Sequence, residues 1–301
     1  MPVTRAIPDL AALCESWTVH LRAERKSAQT VKSYTLGVRL FLEWCTAEGT
    51  PAVLDRPTVN TFVAGLLSSG AEAATARARQ LAVRRFSAWC AEEGETPRDE
   101  LLGLKPPKLD QKVVPRLSDE QCRALIKACT GKEFRERRDE AIVRFMLEAI
   151  VRAGEVVAMS TADVDLTRGV ALVRRGKGGK GRPVPFGPQT GRAIDRYLRL
   201  RRSHRLADTP ALWLGDRGKN LSYDGLYAAL KHRAELADIP DFHPHITRHT
   251  AAQRWLSAEG SEGGLMAVAG WTRRDMIDRY TRATASERAA EEARRLGLGD
   301  F

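Results

Sequence analysis

"GVALVRRGKGGKGRPVPF", residues 169–186, places two short runs rich in β-branched residues on either side of a glycine-rich, basic tip. That arrangement is the signature of a β-hairpin. The segments around it carry helical periodicity, so the hairpin sets the fold class: mainly α, with one small antiparallel β-sheet in the second half of the chain. Glycine-rich basic tips also occur in phosphate-binding P-loops. Here "GKGGK" (176–180) lacks the GxxxxGK[ST] spacing and leads into a strand rather than a helix. Its lysines read instead as flexible point charges carried into a groove, where a lysine can deliver a proton.

Beyond the hairpin, helical patterns recur at 188–206, 222–237 and 247–259. Before it come a helix over 138–150, a break at 152–154, and "SDEQ" from Ser118, a capping box ahead of "CRALIKACT". "LLGLKPPKLDQKVVPRLSDEQ" (101–121) holds three prolines and scattered lysines, an extended, semi-rigid composition. It divides the chain into an N-terminal domain (1–105), a linker (106–115) and a C-terminal domain (116–301). The first domain reads as all helix. Leu10, Leu13, Trp17 and Leu21 share one helical face, and a second helix begins near Ser27 or Thr30 and stops at Gly49. "FLEWCTAEGTP" (41–51) is echoed by "FSAWCAEEGETP" (86–97), which shared helix-ending chemistry explains without any functional meaning.

The chain has 301 residues, a net charge of +11 and a pI near 9.7, enough length for two cores and a balance that favours a polyanionic partner. Residues 168–205 hold twelve Arg or Lys and one acid, Asp195. With neither a lipidation motif nor an apolar span, a membrane surface is the weaker partner for that block. Five cysteines without a CxxC pair and an N-terminus without an apolar signal core predict reduced thiols in a cytoplasmic protein.

"FHPHITRHTAAQRW" (242–255) puts three histidines and an arginine into its first eight positions. His245 and His249 have the spacing of a helical metal pair. Arg248 lies inside the cluster, though, and a permanent guanidinium charge repels a metal ion and suits an anion. No metal is therefore expected.

In chain order the sequence presents Arg-x-x-Glu (152–155), the lysine hairpin, His-x-x-Arg (245–248), and Gly-Trp followed nine residues later by tyrosine in "AGWTRRDMIDRYT" (269–281). This ordered set resembles the tyrosine recombinase (phage integrase) family over nearly the whole chain. The resemblance implies a SAM-like, all-helical core-binding domain joined to a mostly helical catalytic domain. It implies an active site of Arg152, Glu155, Lys177, His245, Arg248, Trp271 and Tyr280. Tyr280 would attack a DNA phosphodiester to give a 3′-phosphotyrosyl link. Arg152 and Arg248 would hold the non-bridging oxygens, and Lys177 (or Lys180) would protonate the leaving 5′-oxygen. His245 would assist the tyrosine proton, Glu155 would orient its neighbours, and Trp271 would donate its indole N–H. Arg174, Arg175, Lys180 and Arg182 of the hairpin are further candidate DNA contacts.

No cofactor is implied, because the phosphotyrosine keeps the bond energy for rejoining. The implied partner is double-stranded DNA carrying core-type sites, bound by a homotetramer, with Leu296, Leu298 and Phe301 docking the tail on a neighbouring protomer. Integration or excision of a phage or mobile element is the leading role. Xer-type chromosome dimer resolution is second, since those proteins typically have histidine where Trp271 stands. A DNA-binding protein with a dead site is the third reading. Ala149-Ile150 stands where the family usually has Thr-Gly, and His249 is read as a packing or structural hydrogen-bonding residue.

Overall fold

The computed structural model describes residues 9–109, 115–174, 181–216, 218–281 and 293–295. Lys177, Arg175, Lys180 and the tail anchors Leu296, Leu298 and Phe301 lie outside them. The chain divides into two compact units, Met1–Lys112 and Val113–Phe301.

The first unit contains α1 (Leu10–Ala23), α2 (Ala28–Ala47), α3 (Arg56–Ser68) and α4 (Ala73–Glu92). Asp9, Ser27 and Asp55 cap the first three, each accepting backbone N–H groups of the opening turn that would otherwise be orphaned. Trp17, Phe41, Phe62 and Phe86 are buried at its centre, with Cys14 buried on the inward face of α1 and Leu13 packed half-buried beside it. α2 and α4 end alike. Gly49 and Gly94 follow them with φ of 60° and 76°, a left-handed conformation that glycine takes at least cost, and this is the source of the 41–51 and 86–97 echo. Gly37 lets the two helices touch: a Cβ there would lie 2.4 Å from that of Ala82.

The second unit runs α5 (Asp119–Ala128), α6 (Phe134–Glu148), α7 (Ala153–Val157), a 3-10 turn (Thr161–Asp163), β1 (Val164–Asp165), β2 (Val170–Val173) and β3 (Arg182–Pro185). It continues through α8 (Pro188–Arg201), α9 (Tyr223–Leu236), α10 (Pro244–Ser257), α11 (Glu262–Ala269) and α12 (Asp275–Thr281). The strands form one antiparallel sheet in the order β1-β2-β3, with Val173 opposite Arg182. The Ser118–Gln121 capping box is present at the start of α5. The break expected at 152–154 lies earlier, at Ala149–Val151, because Glu155 accepts the Arg152 backbone N–H and α7 starts there. α10 likewise starts three residues before the expected 247, since Pro244 fits the first helical position.

α6 is the centre of the main core, where Ile142, Phe145 and Met146 are fully buried. Part of the basic block at 168–205 faces this interior. Arg201 is buried and donates to the carbonyls of Ala207, Thr209, Ala211 and Leu212, so its charge is spent on closing a loop. A second, smaller core gathers Ile150, Ala251, Ala252, Leu256, Leu265, Ala269, Trp271, Ile277 and Tyr280. It fastens α10, α11 and α12 to the turn before Arg152. All five cysteines are free and buried. No helix among the described residues is long and apolar enough to cross a membrane.

Candidate active site

Glu155 organises one half of the site. Its carboxylate accepts the Arg152 backbone N–H at 2.9 Å and Arg152 Nη1 at 2.8 Å. From β3, Arg182 donates Nη1 and Nη2 to the two oxygens at 3.0 and 2.8 Å. Burial alone would raise this carboxyl. The hydrogen bonds from Arg182 and the Arg152 backbone, with both guanidinium charges, hold it below the usual carboxylate range instead. A buried carboxylate bonded to four N–H groups is a fixed anchor, and it holds Arg152 half-buried at the mouth of α7. Arg182, expected to contact DNA, is 8 % exposed and also donates Nε to the Val268 carbonyl at 2.6 Å. It ties β3 to α7 and α11. Arg174 keeps an exposed guanidinium and pairs with Asp163.

Arg248 organises the other half. It is 2 % exposed and donates Nη1 to the Ile150 carbonyl and Nη2 to the Ala269 carbonyl, the latter at 2.7 Å. Two of its N–H bonds thus fix the fork, and the remainder can serve an anion. Burial, followed by the charge of Arg152, brings its pKa down to about 10, so it remains cationic at neutral pH. Its Cζ lies 5.5 Å from the centroid of the Trp271 ring, within cation–π range. Trp271 in turn stacks on Tyr280 at 5.2 Å and 23°. The Trp271 Nε1–H is buried with no hydrogen-bond partner among the described residues, an orphaned donor that an anionic oxygen would satisfy.

Tyr280 is 3 % exposed, and its hydroxyl meets Nδ1 of His249 at 2.5 Å. His245 is exposed and presents its ring edge-on to His249, 4.3 Å away. Protein packed around His245, then the charges of Arg248, His243 and Arg152, hold its pKa below the ordinary imidazole value. Among the described residues no group of three or more His, Cys, Asp or Glu is placed to hold a metal ion. The structure therefore brings Arg152 to Glu155, and Arg248 to Trp271 and Tyr280. Two residues in this constellation were not read as part of it. Arg182 gives no sequence signal that it turns inward, whereas the four-residue spacing of His245 and His249 is visible and reads as a metal pair, with His249 otherwise a packing or structural hydrogen-bonding residue.

The turn that presents Arg152 is strained. Ile150 has φ = 54°, a region costly for a β-branched residue, by about 1–2 kcal/mol. Its side chain is fully buried in the small core with Trp271 and Tyr280, and losing such a side chain typically costs ~2–5 kcal/mol. Burial wins. Ile150→Gly should relieve the backbone yet lower unfolding stability by roughly 2–3 kcal/mol, as urea denaturation will show; a variant more stable than wild type would mean that strain dominates.

A description of the phage integrase family matches residues 115–287, and one of its SAM-like N-terminal domain matches 14–94. The chain belongs to the phage integrase family. The recombinase is 27% identical to tyrosine recombinase XerC of Pseudomonas aeruginosa over 301 residues, covering 97% of each chain. Among solved structures it resembles the XerH site-specific recombinase bound to palindromic difH substrate, with a TM-score of 0.74 and 15% identity over 94% of this chain and 83% of that one. It also resembles the Tn1549 transposon integrase in complex with transposon right end DNA, with a TM-score of 0.71 and 16% identity over 94% of this chain and 99% of that one. At those identities the likeness is one of fold, and it matches the expected mainly α architecture with one small sheet. As a tyrosine recombinase the chain cuts and rejoins DNA.

The orphaned indole donor of Trp271 gives this recombinase a direct test. Trp271→His keeps a ring and an N–H and should retain partial cleavage. Trp271→Ala removes donor, stack and cation–π contact together and should lose roughly 100–1000-fold. Equal rates for the two variants on a nicked duplex would remove the donor role.

Proposed function

We propose that this recombinase exchanges DNA strands at core-type sites, with Tyr280 as nucleophile and Arg152 and Arg248 as the phosphate clamp. The observation that carries the reading is the run Arg248–Trp271–Tyr280, in which a guanidinium lies over an indole that stacks on the phenol. In the forward step the Tyr280 oxygen bonds to phosphorus, the bond to the 5′-oxygen breaks, and Lys177 supplies the proton that oxygen takes. Glu155 sets the angle of Arg152. The first unit, Met1–Lys112, grips the duplex, and exposed Arg77 and Arg85 on α4 suit phosphate contacts. Four protomers act together in the cytoplasm on two duplexes.

Two roles fit. Trp271 in place of histidine favours integration or excision of a phage or mobile element. The near-complete coverage of XerC, 97% of each chain, favours Xer-type chromosome dimer resolution, and assays on the DNA flanking the gene separate the two. The chemistry is tested with a nicked suicide duplex, in which loss of a short fragment traps the covalent adduct. Adduct should form at the same rate with and without EDTA. Strong inhibition by EDTA would return the histidine cluster to a metal reading, and no adduct at all would leave a DNA-binding protein with a dead site.

A further inference from the structure

We propose that His249, rather than His245, accepts the proton that leaves Tyr280 as it attacks DNA. The inference rests on Tyr280 being the nucleophile. A phenol with an ordinary pKa of about 10 must lose its proton to become a competent attacking group, and at 3 % exposure Tyr280 has little bulk water to give it to. The ring that meets the hydroxyl is His249, Nδ1 to Oη at 2.5 Å, already within the reach required of a general base. The ring of His245 is edge-on to that of His249, and it opens to solvent. The two histidines therefore divide the work, His249 at the phenol and His245 on the exposed side where a phosphate would arrive.

The division follows from α10. Residues four apart lie one above the other on a helix, so one face carries both rings. Arg248, between them in sequence, turns inward to the carbonyls of Ile150 and Ala269. With the proton of His249 on Nε2, Nδ1 offers a lone pair and the phenol donates to it. As the Oη–P bond forms, the Oη–H bond breaks and its proton passes to Nδ1, while the P–O5′ bond breaks and the 5′-oxygen takes a proton from the lysine. In rejoining, the 5′-hydroxyl gives its proton back to the lysine as it attacks phosphorus, the P–Oη bond breaks, and Nδ1 returns its proton to Oη.

The test uses the full chain, its His249→Ala and His249→Asn variants, and nicked suicide duplexes whose scissile 5′-oxygen is either normal or replaced by sulfur. Asparagine can still accept the hydrogen bond but cannot take up the proton. Both variants should bind a half-site as the wild type does and form adduct at least ~100-fold more slowly, the contribution usual for a general base. Added imidazole should restore adduct formation to His249→Ala. The sulfur substrate, whose leaving group needs no proton, should not rescue either variant. A wild-type rate in His249→Asn would reduce His249 to a hydrogen-bond acceptor and overturn the proposal. So would an unchanged or faster rate in His249→Ala, or rescue by sulfur, which would place His249 on the leaving group. Tyr280→Phe is run alongside, and an adduct there would remove the nucleophile assignment itself, independently of His249.

Discussion

Tyr280→Phe should bind a half-site with wild-type affinity and form no covalent DNA adduct. The substitution deletes one oxygen and keeps the ring, so the stack on Trp271 and the place of Tyr280 in the small core with Ile150, Ala251 and Ile277 survive. The fold loses the hydrogen bond to His249, worth roughly 1 kcal/mol. Binding energy lies elsewhere, in the charged surfaces that meet the phosphate backbone, and should be unchanged. Chemistry should have no substitute, because on the proposed assignment the link to phosphorus is made by the missing atom. Loss is therefore complete rather than graded. Gel shift for binding and denaturing gel for adduct make the separation visible, and an adduct that persists and maps to another residue sinks the assignment.

Arg248→Ala should fail differently, in stability as well as rate. Removing one donor to the charge that builds in a transition state costs ~3–4 kcal/mol, or about 100–1000-fold in rate. The same change leaves the Ile150 and Ala269 carbonyls without the guanidinium that now satisfies them, at about 1–3 kcal/mol each where they stay buried. It also opens a void beneath Trp271. Against a typical total of ~5–15 kcal/mol for a domain, that is a severe loss. Arg248→Lys keeps the charge but replaces a planar fork with a point donor, so it should melt between wild type and Arg248→Ala and cleave slowly. A wild-type melting temperature in Arg248→Ala would show that the two carbonyls do not depend on the guanidinium.

The helices were legible because their signals are local. Ser27 and the Ser118–Gln121 box mark real starts, and Gly49 follows a real end, since a cap involves only residues within one turn. The hairpin and its place in a helical domain were read from composition alone, for the same reason. What escaped the sequence is long-range. Nothing near Arg182 tells that its guanidinium belongs to Glu155, 27 residues away, so an inward-facing arginine looked like the surface arginines around it. The strained turn at Ile150 was half legible: the missing glycine could be seen, but not that the isoleucine side chain is held in one core with Trp271 and Tyr280. Position 249 is legible as a hydrogen-bonding residue but not for its partner. A histidine four residues from another fits a metal pair or a packed, hydrogen-bonded ring, and only the arrival of α12 from far along the chain supplies the Tyr280 hydroxyl it meets.

The shared carboxylate of Glu155 has an arithmetic consequence. Arg152, Arg182 and Arg248 bring three positive charges into mutual range and Glu155 cancels one, so the cradle holds two more positive charges than negative. A resting phosphodiester supplies a single negative charge and leaves the cradle overcharged. Addition of a phenolate oxygen to phosphorus brings the second. On the proposed assignment, and before the lysine's charge is counted, these fixed charges are balanced at the five-coordinate summit of the reaction and at neither end of it, so they would favour the transition state over both the intact strand and the phosphotyrosyl link. Had Arg182 faced solvent, leaving Glu155 to Arg152 alone, the same cradle would have matched the ground state instead and held DNA without hurrying it.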